Sequence, residues 1–141
     1  MKINRVAAIV YAITSIAVVV FQMALAVGAP WGAYAMGGAF PGQLPPALRV
    51  AAIVQAALLI GMAGVVLSRA EVILPGWARA SRWLRWFVVA FATLSLILNL
   101  ITPSAGERAI WAPVAALLLI SSAIVAFSGS TGSSLRQKTS R

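Results

Sequence analysis

The chain contains no cysteine, no histidine and no aspartate, and its only acids are Glu71 and Glu107. Without cysteine there is no disulfide, no thiol nucleophile and no Cys-X-X-Cys redox pair for quinone or vitamin K chemistry. Without histidine the usual near-neutral general base and the commonest metal ligand are missing. Ser-His-Asp catalysis, paired-carboxylate catalysis and metal-assisted hydrolysis all lack their parts. No catalytic residue, metal or cofactor is expected, and an enzyme is the least expected class.

Charge is scarce as well. Only 9% of the 141 residues are charged and 62% are hydrophobic, with a mean hydropathy of +0.98; a soluble domain carries roughly 25% charged residues. So little polar surface cannot cover so much apolar material, and the implied solvent is a bilayer. Four apolar runs, residues 6–27, 50–68, 84–102 and 109–127, reach about the 18 residues that mark a spanning helix. They are too continuous for the alternating strands of a barrel. The expected fold is all-α, a four-helix transmembrane bundle forming one domain over residues 1–127. Residues 128–141, Gly/Ser-rich and then basic, are expected to be a disordered cytoplasmic tail. No solenoid-type repeat is present.

The net charge of +9 is distributed by topology rather than in one nucleic-acid-binding patch. Nine cations fall on one side of the four spans: Lys2 and Arg5, then Arg69, Arg79, Arg82 and Arg85, then Arg136, Lys138 and Arg141. Only Arg49 and Arg108 fall on the other. The positive-inside rule places both termini and the second loop in the cytoplasm of a bacterial inner membrane. Tryptophans agree, with Trp77, Trp83 and Trp86 at the inner boundary and Trp31 and Trp111 at the outer one. Arg79, Arg82 and Arg85 are expected to contact anionic phospholipid, and the Ser81–Trp86 run SRWLRW reads as an interfacial anchor. A basic start followed by Ala24-Leu25-Ala26 resembles a signal peptide, but an apolar stretch of about 22 residues exceeds the usual 7–15.

Between the first two spans lies an uncharged segment, residues 28–48, with five of the eleven glycines, four of the seven prolines, and Trp31, Tyr34 and Phe40. Such a segment is expected to pack back on the protein. At the same outer depth three spans carry amides: Gln22, Gln55 and Asn99. Amides in lipid face the bundle interior, either as glue between helices or as the lining of a polar pocket, here one lidded by the loop. Arg49, at the helix end that disfavours a cation, wants an anion, supplied by Glu107 or by a lipid phosphate. The candidate pocket thus comprises Gln22, Trp31, Tyr34, Arg49, Gln55, Asn99, Glu107 and Trp111.

Local signals fix the helix ends. Pro45-Pro46 suits the first turn of helix two, Ser81 an N-cap of helix three, and Ser104-x-x-Glu107 a capping box opening helix four. Pro113 should free the carbonyl of Ala109 and kink helix four. Ala52, Ala56, Ala57 and Gly61 suit close helix contact, and Tyr11, Thr14, Ser15, Thr93, Ser95, Ser121 and Ser122 read as helix-contact hydroxyls.

The blocks GAPWGAYAMGG–FPG–LPPALR and LNLITPSAGERAIWAPVA resemble a group of small bacterial four-span membrane proteins with no known activity, over residues 5–127. That resemblance implies fold and location only. The chain is also similar in size and span count to the small multidrug resistance transporters. Those rely on a glutamate within the first helix for proton coupling, where this chain has Gln22 and no acid, and the second loop here is long and basic.

Three functions follow as expectations. The first is a non-enzymatic inner-membrane protein binding a small molecule, lipid or partner subunit at its outer face. The second is a subunit of a small homo-oligomeric transporter with helix two at the interface. The third is a lipid-acting membrane enzyme using Glu107.

Overall fold

The computed structural model describes residues 2–73 and 81–128. These residues are all-helical, with four helices long and apolar enough to cross a membrane: α1 (Lys2–Ala26), α2 (Pro46–Arg69), α3 (Ser81–Ile101) and α4 (Ala105–Ser128). With 21 to 25 residues each, they measure about 31–38 Å at 1.5 Å per residue, enough for a hydrocarbon layer of about 30 Å. Two single 3₁₀ turns, Gly32–Tyr34 and Met36–Gly38, punctuate the segment between α1 and α2. Trp77, Arg79 and tail residues 129–141 lie outside the described residues. Ser128, counted with the tail on sequence grounds, is the last residue of α4.

One core cluster joins Ala7 and Tyr11 near the start of α1 to Val66 near the end of α2, Val88 near the start of α3 and Val125 near the end of α4. A second joins Leu25 at the end of α1 to Leu44 and to Ala52 in the second turn of α2. Successive helices therefore run antiparallel. At one end, the closed end, α1 starts and α4 finishes. At the other, the loop end, lie residues 27–45 and 102–104. The exterior is apolar: Ile13, Ile16 and Val20 of α1 are each more than 60% exposed, an arrangement that suits lipid and not water.

Helix packing is uneven. α1 lies along α2 and against α4, α3 lies along α4, and α2 and α3 touch far less. The three buried residues of α3, Ser81, Val88 and Ala92, run from its closed-end start to just past its midpoint. Beyond Ala92 the helix has no buried side chain, so the bundle is tight at the closed end and parted between α2 and α3 at the loop end.

The predicted helix starts are found in part. Pro45 is the N-cap and Pro46 the first residue of α2, with Pro45 O accepting from the N–H of Leu48 and Arg49. Ser104 caps α4, its Oγ accepting from the Glu107 N–H at 3.2 Å. The reciprocal half of the capping box is not made. Glu107 Oε2 instead accepts a hydrogen bond from Thr102 Oγ1 at 2.8 Å, because the side chain folds toward the end of α3. Pro113 lies inside a continuous α4. The small residues of α2 divide between two faces, with Ala52 and Ala56 buried and Ala57 and Gly61 exposed.

Candidate functional site

The glycines and aromatics of residues 27–45 hold that segment against the helices. α1 ends in a Schellman turn: the Ala29 N–H reaches Ala24 O at 2.9 Å and the Gly28 N–H reaches Leu25 O at 3.1 Å. Gly28 adopts the left-handed φ of 101° that the turn needs. Further on, the Gly32 N–H donates to Gly42 O at 2.8 Å. A Cβ on Gly32 would stand 1.9 Å from Phe40 O, so only glycine permits that crossing. Trp111 Nε1 donates to Tyr34 O at 2.8 Å and Ser104 Oγ donates to Ala33 O at 3.0 Å. Phe21 contacts both Trp31, stacked with centroids 6.0 Å apart, and Trp111, tilted at 4.5 Å. Met36, Gly37 and Gly38 all have positive φ, of 54°, 72° and 73°. For Met36 this is a left-handed conformation that a non-glycine residue holds at a cost.

Beneath this segment lies a cleft of about 1060 Å³, at the upper end of the roughly 300–1,000 Å³ of small-molecule pockets. All four helices contribute to its lining, α2 with Val54 and Leu58 and α3 with Leu94 and Leu98 among the apolar residues. These four side chains remain exposed, so the cleft is open rather than sealed. Tyr34, Met36 and Gly37 cover its loop end, while Tyr11 and Phe91 lie deeper toward the closed end.

Six of the eight predicted pocket residues line this one cleft: Gln22, Tyr34, Gln55, Asn99, Glu107 and Trp111. Gln22 is only 7% exposed, and its Oε1 is buried with no hydrogen-bond partner. Gln55 is half-buried. Asn99 is partly engaged by its own helix, its Nδ2 donating to Ser95 O at 2.8 Å. The Tyr34 ring packs against Gly106, where an added Cβ would sit 3.0 Å from it.

Trp31 and Arg49 do not line the cleft. Trp31 stacks on Phe21, which itself lines the cleft. The expected Arg49–Glu107 pair is not formed. Arg49 Nε donates to Leu44 O at 2.8 Å and Nη2 to Gln43 Oε1 at 3.2 Å. Its guanidinium lies over Gly28, 3.3 Å from where a Cβ would be. That position is the C-terminal end of α1, the negative pole of the helix dipole, and it satisfies the cation without an acid. Arg108 does the same for α3, its Nη1 donating to Thr102 O at 2.9 Å just past the helix end.

Sequence reasoning missed Met36, Ser95 and Thr102, which also line the cleft. The Met-Gly-Gly run was the one signal that could have pointed to Met36. Among the described residues no group of three His, Cys, Asp or Glu could hold a metal ion. The only acid on the cleft is Glu107, already bonded to Thr102. The arrangement offers an apolar groove with a few polar groups under its cover, a lining suited to an elongated molecule with one polar end. Comparison with known proteins found no match among family models, curated proteins or solved structures.

Proposed function

We propose that this chain is a multi-pass protein of the bacterial cytoplasmic membrane that binds an amphipathic lipid in the outer leaflet, without catalysing a reaction on it. The orientation rests on the nine-to-two distribution of Lys and Arg, which puts both termini in the cytoplasm and the loop end outside. The two cations outside that pattern, Arg49 and Arg108, have structural roles at helix ends, which accounts for their presence on the translocated side.

The observation that carries the binding reading is the open α2/α3 cleft with Gln22 at its side. An apolar groove facing the bilayer fills with acyl or isoprenoid chain. A buried amide oxygen without a partner costs about 1–3 kcal/mol, and a hydroxyl or amide donor on the bound lipid would remove that cost. Glu107, the one carboxylate lining the cleft, accepts a hydrogen bond from Thr102, and it has no second acid or histidine beside it to share proton transfer.

The test is native mass spectrometry of the chain purified in mild detergent from its own membranes. The wild type should retain one lipid per chain. Val54→Trp and Leu98→Trp, which fill the cleft from α2 and from α3, should each lower occupancy by about tenfold, a difference near 1.4 kcal/mol. A wild type carrying no lipid, or occupancy unchanged in both variants, overturns the reading.

A further inference from the structure

The closed end presents an electrostatic problem unrelated to the cleft. Arg69 ends α2, and Arg82 and Arg85 lie in the first two turns of α3. Both α3 cations repel Arg69, with Arg85 the stronger, while Glu71 is the only acid that acts on it. Yet Arg69 Nε and two nitrogens of Arg85, Nε and Nη1, are buried with no hydrogen-bond partner among the described residues. Ser68 Oγ, in a residue 2% exposed, is likewise unpartnered. Arg85 is held by the face of Trp86, its Cζ 5.2 Å from the ring centroid. A ring face attracts the charge but accepts none of the in-plane N–H bonds.

Arg69 and Arg85 are half-buried, and each of these sealed N–H donors left without an acceptor is unfavourable. Two like charges brought together make the site worse, and the start of α3 adds the positive pole of a helix dipole. The chain has no second acid to offer here, since Glu107 is at the opposite end. The missing component is an anion from outside, and planar guanidinium forks match the oxygens of a phosphate.

We propose that Arg69 and Arg85, with the N-terminus of α3, form a binding site for a single phosphate group at the closed end of the bundle. Its source is either a phospholipid headgroup or a free phosphate. Arg82, which is exposed, contributes field rather than a bond.

The test uses the full chain in nanodiscs and reads the thermal unfolding midpoint. In phosphatidylcholine discs, where the choline group screens the headgroup phosphate, the variant R69Q/R85Q should unfold at or above the wild-type midpoint, because it lacks the unpaired charges. Adding phosphatidylglycerol should raise the wild-type midpoint by about 5–10 °C, as saturating binding to the folded state alone would. Millimolar inorganic phosphate in the neutral discs forms the second arm. A rise with phosphatidylglycerol only assigns the headgroup, and a rise with both anions assigns a site open to free phosphate. R69Q/R85Q should show neither rise, and R82Q should keep most of it. If the double variant cannot be purified, R85Q set against R82Q makes the same comparison. No rise in the wild type with either anion, or an equal rise in R69Q/R85Q or R85Q, overturns the proposal.

Discussion

Replacing Gly32 with alanine should detach residues 31–42 from the helices while leaving the bundle folded. The new Cβ would lie 1.9 Å from Phe40 O and 2.8 Å from Gly42 O, and both obstacles are backbone, which cannot rotate away. Relief requires the two strands of the loop to part, breaking the Gly32 N–H to Gly42 O bond. The next two residues carry the bonds from Ser104 to Ala33 O and from Trp111 to Tyr34 O, so these weaken as well. At about 1 kcal/mol net for each of the three bonds, the closed state loses about 3 kcal/mol, or about a hundredfold in the opening equilibrium. Amide hydrogen exchange by mass spectrometry in nanodiscs reads this directly, as a rise of about two decades over residues 31–42 and little change in α1 to α4. Gly61→Ala is the control, since nothing lies within 4 Å of its Cβ position. Wild-type exchange in Gly32→Ala would refute the packing described for this segment.

Other substitutions probe single contacts. Trp111→Phe keeps a ring against Phe21 and removes the donor to Tyr34 O; loop exchange should rise about fivefold, the equivalent of about 1 kcal/mol, and an unchanged rate would contradict that bond. Gln22→Leu should stabilise lipid-free protein by about 1–2 kcal/mol in detergent unfolding, because it deletes an unpartnered buried oxygen. Clear destabilisation would show that protein groups satisfy Gln22. Glu71 holds a φ of 57° where the chain leaves α2, with the Val72 N–H reaching Leu67 O at 3.0 Å. Glu71→Gly should therefore stabilise the fold by about 1 kcal/mol in the same assay; a loss of stability would show that the carboxylate, and not backbone strain, governs that position.

Much of this architecture is legible in the chain itself. Four apolar runs give four helices, since in lipid the backbone has no other open-ended solution. Gln22, Gln55 and Asn99 reach one depth by residue rise alone, and they line one cleft. The gap between α2 and α3 was not legible. A helix such as α3, apolar on nearly every side, reads the same whether its flank faces lipid, a neighbour or a groove. Partner choice was equally hidden. Arg49 and Glu107 are the obvious pair by charge, but each found a nearer partner: the end of α1 for Arg49, the Thr102 hydroxyl for Glu107. At the closed end, the spacing of Arg69 and Arg85 gave no hint that their nitrogens would be buried, because burial is set by helices far apart in sequence.

Whether the α2/α3 cleft holds a lipid is visible in an experimental structure of the chain in native lipid. An elongated non-protein density is expected between Val54 and Leu98, with its polar end within hydrogen-bond distance of Gln22 Oε1 under Tyr34 and Met36. A structure in which α2 and α3 close on each other and Gln22 Oε1 is bonded to protein would contradict it.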